Sequence, residues 1–227
     1  MTVEMFSKFQ SCYRPDVFSK GPAIDWPLKS VEELVGSQVT GYPEFLRLVA
    51  HTSFEGGLIR FLLPGGSTQP LLSDWNAPDG WASRWRGYRN RLIVFAYDWL
   101  GRQIAFDRKR TVSGEPMIAI LEPGTGEVLE VPTNFMEFIE EELTEYHEAA
   151  LASGFYREWR DGGGSVPQPS QCVGYKIPLF LGGTDTVDNL ELIDLDVYVT
   201  ICGALFEQSL SLHPGQKISE ISILDSS

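Results

Sequence analysis

Leu92-Ile-Val-Phe-Ala-Tyr-Asp-Trp-Leu-Gly-Arg-Gln-Ile-Ala-Phe-Asp107 decides the fold. Its first run is apolar and rich in β-formers, as in a strand buried on both faces, and residues 98–101 supply a tight turn. Its second run alternates, with Ile104 and Phe106 pointing one way and Gln103, Ala105 and Asp107 the other. Working outward, residues 116–122 and 127–131 read as two further strands across the turn Pro123-Gly124-Thr125-Gly126. Together they predict a three- or four-strand antiparallel meander whose faces the rest of the chain must cover. The expected class is α+β, with a central antiparallel sheet flanked by helices and an additional C-terminal α+β segment.

Upstream, the chain reads as short covering pieces. Residues 3–12 carry a helical face of Val3, Met5, Phe6 and Phe9, and Pro15, Pro22 and Pro27 punctuate an extended segment around Ile24 and Trp26. Ser30 with Glu33 is a capping-box pair for a short helix ending at Gly36, and Pro43 opens another through Ala50 with Phe45, Leu46, Leu48 and Val49 apolar. Residues 54–63 read as one glycine-led strand stopped by Pro64-Gly65-Gly66. No Gly-Lys-Ser/Thr follows, so the glycines are turn chemistry and not a phosphate loop. Trp75 and Trp81 bracket a loop that they would anchor to the core.

Downstream, Thr133 or Asn134 caps a predicted helix through Leu151 with a buried stripe of Phe135, Phe138, Ile139, Leu143 and Tyr146. Its other face and flanks crowd Glu137, Glu140, Glu141, Glu142, Glu145 and Glu148, with no lysine at i+4. Residues 159–171, rich in glycine and proline, read as a connector. Pro178 demotes the apolar run 172–183 to an edge strand or an irregular extended segment. Asp194 is an N-cap for a helix to about Leu212, with Val197, Ile201, Leu205 and Leu212 on its face and Cys202 packed as a small apolar residue. Residues 218–223 alternate as a last strand.

The chain has 227 residues, enough for one large domain or two small ones, and a formal net charge of −13. That balance opposes phosphate-driven nucleic-acid binding and an anionic membrane surface, and favours a basic protein partner. Residues 84–110 are basic, and Trp81, Trp85 and Tyr88 interleave with arginines as in some RNA-binding segments. The simpler expectation is that these arginines pair with the acidic second half or flank strand ends. No apolar run reaches the ~18 residues of a membrane span, and the first residues lack a signal-peptide pattern. Cys12, Cys172 and Cys202, odd in number and without a CxxC pair, predict reduced thiols in a cytoplasm.

Catalytic chemistry finds little support. The three histidines, His51, His147 and His213, lie in different segments, and there is no Gly-x-Ser-x-Gly elbow, HExxH or CxxC. Asp185, Asp188, Asp194 and Asp196 lack the glycine and terminal glutamate of a calcium loop. The expectation is a non-enzyme.

The run Val173-Gly-Tyr-Lys-Ile-Pro-Leu-Phe-Leu-Gly-Gly-Thr-Asp-Thr-Val-Asp-Asn-Leu-Glu-Leu-Ile-Asp-Leu-Asp-Val-Tyr198, with Gln208 beyond it, resembles the C-terminal domain of a bacterial type VI secretion immunity protein family. Residues 98–107, Glu122-Pro-Gly-Thr-Gly126 and Asn134-Phe-Met-Glu-Phe138 also look like it. The N-terminal half is similar to the GAD-like domain that accompanies the family, and the strand, turn and Phe-x-x-Phe helix order resembles the SUKH superfamily. The resemblance implies a GAD-like/SUKH-like region at 1–158 and an immunity-family segment at 172–227, joined by 159–171. It implies a cytoplasmic antitoxin that binds and blocks a secreted toxin, often a DNase, with no cofactor. The candidate contact residues are Glu137, Glu140, Glu141, Glu145 and Glu148 on the helix and Asp185, Asp188, Asp194 and Asp196 in the loop. The alternative class is a non-catalytic ligand-binding or scaffold module.

Overall fold

A computed structural model of the chain describes residues 5–16, 33–36, 38–48, 53–65 and 70–210. A six-stranded antiparallel meander runs through them in chain order: β1 Ser53–Phe54, β2 Ile59–Phe61, β3 Leu92–Asp98, β4 Gln103–Val112, β5 Glu115–Glu122 and β6 Glu127–Val131. The four strands read around residues 92–131 are present, and the sheet extends by two at its far edge. The run 54–63 is a hairpin and not one strand. Glu55, Gly56 and Gly57 take positive φ and reverse the chain between β1 and β2, and Asp16 fixes the turn by accepting from Ser53 Oγ, Gly56 N and Gly57 N.

The central strands are covered on both faces. β3 is buried throughout, as its composition demands. The first five residues of β4 are buried too, so its alternation marks two kinds of cover and not one solvated side. On one face Phe95 and Phe106 stack and meet Tyr42 and Phe135, and Phe6, Phe9, Phe45 and Phe61 continue the aromatic cluster. Phe9, Tyr42, Phe45 and Phe135 arrive on the short helices Ser7–Cys12 and Tyr42–Leu48 and on the helical turn Phe135–Glu137, and Phe61 comes from β2. Gln103 receives Trp75 Nε1 at 2.8 Å and donates to Gly101 O at 2.7 Å, which satisfies a buried amide. Trp75, Trp81 and Trp85 are all buried, as loop anchors should be.

Residues 98–102 are the joint of the molecule. The Asp98 carboxylate accepts from Leu100 N, Arg102 N and Arg102 Nε, the last at 2.6 Å, and is fully buried. Burial raises its pKa, an effect that Arg102 opposes. Arg102 Nη2 and Trp99 Nε1 donate to the carbonyls of Ala150 and Leu151, and Val173 N donates to Trp99 O. The turn thereby holds the sheet, the helical segment and the C-terminal strand pair together.

Between residues 135 and 161 the expected long helix is broken. Helical turns Phe135–Glu137, Leu143–Glu145 and His147–Leu151 flank a π-helical turn Phe138–Glu142, and a separate helix Ser153–Asp161 follows Ala152 at positive φ. Tyr146, expected in the buried stripe, is 57% exposed. A π-turn takes up an extra residue, so positions beyond it fall off the 3.6-residue stripe. The connector begins later than read, since helix persists to Asp161.

β7 Gln171–Tyr175 and β8 Leu190–Asp194 form a second, two-stranded antiparallel sheet, and Pro178 lies outside both. Asp194 caps the helix Leu195–Ser209, accepting from Asp196 N and Val197 N. The face of that helix differs from the expected one. Leu195, Tyr198, Val199, Cys202 and Leu205 are buried, whereas Val197 is 46% exposed. Ser30, Leu212, His51, His213 and the alternating run 218–223 lie outside the described residues. All three cysteines are free, and burial pushes the Cys202 thiol up to about 12.

Candidate functional site

The candidate carboxylates fall into two groups with different fates. On the helical segment most already have partners. Glu137 completes a capping box with Asn134, accepting from Asn134 N at 3.1 Å while its own N–H reaches Asn134 Oδ1 at 3.0 Å. Glu140 accepts from the Lys8 and Phe9 backbone N–H groups, and Glu145 pairs with Lys8 Nζ at 2.6 Å. Glu148 accepts from Ser153 Oγ at 2.9 Å and Gly154 N at 2.8 Å; the Ser153 bond leads in holding its carboxyl below the usual range. Glu141 is exposed. Charge compensation absent at i+4 is supplied from elsewhere in the chain by Lys8, and by Arg157 at 3.9 Å from Glu148.

His147 Nδ1 lies 2.7 Å from Ser153 Oγ, beside a second cleft of about 410 Å³. The hydroxyl proton goes to the Glu148 carboxylate. In the tautomer that carries its proton on Nδ1, His147 then donates to Oγ and the nitrogen facing the serine has no free lone pair. Within the cluster, Glu148 satisfies the Gly154 N–H in the first turn of the helix Ser153–Asp161.

The loop group is arranged differently. Asp185 accepts from Tyr175 OH at 2.7 Å, and burial together with this bond raises the tyrosine pKa. Asp188 offers its main-chain carbonyl to Lys176 Nζ and leaves its carboxylate exposed. Asp194 and Asp196 line a cleft of about 520 Å³ opposite Asp74 and Asp79, with Trp75 and Leu195 among its apolar lining. None of the described residues lining this cleft is cationic. It is concave, half apolar and carboxylate-bearing, which suits the apolar stem and charged head of an arginine or lysine. Asp74, in the helical turn Leu72–Trp75, and Asp79, in the tryptophan loop, escaped the sequence reading because they lie more than a hundred residues away in the chain. Their only local signal was two acids among aromatics.

Three residues of the basic stretch, Arg91, Arg102 and Arg110, are engaged internally at close range. Asp107 receives Arg91 and Arg110, each at 2.6 Å, and Glu130 receives the same two arginines at 3.0 and 2.6 Å. Arg102 serves Asp98, and Arg86 lies 3.9 Å from Glu207. Among the described residues no group of three or more His, Cys, Asp or Glu is placed to hold a metal ion, and no helix is long and apolar enough to cross a membrane.

Residues 133–206 match the family model described as T6SS immunity protein Tdi1, C-terminal. The match covers 74 of the 227 residues. The fold resembles the crystal structure of Atu4351 from Agrobacterium tumefaciens, with a TM-score of 0.56, 16% identity and 88% of each chain covered. No curated protein matches the chain by sequence.

Proposed function

We propose that this chain is a cytoplasmic immunity protein that binds a cognate type VI secretion effector and neutralises it without catalysis. The observation that carries the reading is the match of residues 133–206 to an immunity-protein family. The matched segment contains Asp194 and Asp196, one wall of the acidic cleft. We assign the cleft as the electrostatic contact, complementary to a basic effector surface such as the DNA-binding face of a nuclease. In this reading residues 1–158 form a GAD-like and SUKH-like region and 172–227 an immunity segment, joined through the end of the helix Ser153–Asp161 and residues 162–170. The acidic helix face is secondary, because Glu137, Glu140, Glu145 and Glu148 are engaged within the chain.

The test is a pull-down with the product of the adjacent upstream gene, followed by calorimetry and stopped-flow association. The expected result is one-to-one binding with a Kd on the order of nanomolar, and silencing of the effector. Asp79→Lys with Asp196→Lys should slow association and flatten its salt dependence, since steering acts mainly on the on-rate. An unchanged on-rate would remove the cleft from the proposal, and absence of binding would remove the immunity reading.

A further inference from the structure

The segment between β7 and β8 is a closed loop whose shape is set by its own hydrogen bonds. Pro178 opens a 3-10 turn at Leu179–Leu181, Gly182 follows at φ 89°, and Gly183 N returns to the Pro178 carbonyl at 3.2 Å. A Cβ at Gly183 would overlap the Ile177 carbonyl oxygen, so only glycine lets the two arms approach. Asn189, 8% exposed, clamps the base. Its Oδ1 accepts from Ile177 N at 3.0 Å, and its Nδ2 donates to the carbonyls of Ile177 and Thr184, both at 2.9 Å. Leu179 N and Phe180 N donate to Gly124 O, which ties the loop to the turn between β5 and β6. On this fixed frame two large apolar side chains face solvent, Ile177 at 54% and Leu181 at 39% exposure.

We propose that Ile177 and Leu181 are the apolar anchors of a protein–protein interface whose occupant is a basic protein, the effector assigned above; the inference rests on that reading. Charge selects the occupant. Asp185, Asp188 and Glu191 are exposed around the loop and strand, and the lysine of the segment, Lys176, is tied to the Asp188 carbonyl at 2.8 Å. A second copy of this acidic chain would bring like charge against them, whereas a basic rim on the partner would complement them. A loop ordered before binding loses little conformational entropy when it docks, so its exposed apolar side chains can bury area at low cost.

The test compares wild type, Ile177→Asp/Leu181→Asp, Ile177→Ser/Leu181→Ser and Asn189→Ala for binding to the adjacent gene product, with thermal unfolding and sedimentation of each. Both double variants should keep the wild-type Tm and bind about 30-fold more weakly, chiefly through faster dissociation. Asn189→Ala keeps both anchors and should weaken binding less while raising hydrogen exchange across 176–184. Equal affinity of wild type and double variants would overturn this inference and leave the immunity reading standing. Failure of wild type to bind would overturn both. A wild-type dimer that both double variants dissociate would assign the loop to self-association, and also overturn the inference.

Discussion

Asp107 and Glu122 stand on neighbouring strands, and their surroundings drive their carboxyl groups in opposite directions. Burial pushes Asp107 up, but the hydrogen bonds from Arg91 and Arg110 outweigh it and hold the group below its ordinary value. Its contribution is therefore in place above the unfolded pKa, about 3.9, and is lost as pH falls through the folded value. Asp107→Asn should cost about 2 kcal/mol at pH 7, and the Tm gap to wild type should close under more acidic conditions. Burial raises Glu122, and although Arg102 opposes the shift, Asp98, Asp185 and Glu127 add to it. Here the sign reverses. The contribution is fully present below the unfolded pKa and is lost as pH rises through the folded value. Glu122→Gln should raise Tm at pH 7 and change little at pH 4; a lower Tm at pH 7 would refute the assignment. Arg110 is three residues from Asp107 on the same strand, but Arg91 and the groups around Glu122 arrive from other strands and loops, so neither environment was legible in the sequence.

At the scale of elements, local signals survived and phases did not. Asn134, one of the two caps the sequence offered, forms a capping box with Glu137, all of whose atoms lie within four residues. Asn134→Ala should cost about 1 kcal/mol and fray the following turns, read by thermal unfolding and hydrogen exchange. Asp194 was equally legible as a cap. The buried stripe beyond Leu143 was not, since the π-turn Phe138–Glu142 depends on how Phe138 and Ile139 seat against the sheet. The helix Leu195–Ser209 is apolar over most of its circumference, so its sequence admits several faces. Packing chose Tyr198, Val199 and Cys202 and left Val197 in water. Gly183→Ala should disorganise the loop before β8, because its Cβ has no space beside the Ile177 carbonyl; a backbone amide shift pattern confined to 176–189 would report it.

Across the whole molecule, the C-terminal strand pair and helix share the core of the main sheet. Gly101 lies against Cys172 and Tyr198, Trp85 Nε1 donates to Val199 O at 3.0 Å, and Leu195 N donates to Ser170 O. Arg60, buried beneath the connector, donates to the carbonyls of Pro167 and Gln171. Unfolding should then be a single transition, with tryptophan fluorescence and far-ultraviolet circular dichroism coinciding. Two resolved transitions would instead separate the first 158 residues from the C-terminal segment. Trp99→Ala should destabilise by about 3–5 kcal/mol, because its ring is fully buried and its indole N–H holds the Leu151 carbonyl.

What the sequence determined by itself was the excess of negative charge and whatever depends on neighbours within a few residues: the four strands between Leu92 and Val131, the turns that join them, and the cap at Asp194. The tertiary structure decided which carboxylates stay available. It drew Lys8 to Glu145 and the Ser153 hydroxyl to Glu148, and it set Asp74 and Asp79 across a cleft from Asp194 and Asp196. Charge is a sum that composition gives directly. The field at a surface depends on distances between segments far apart in the chain, and only folding sets those distances.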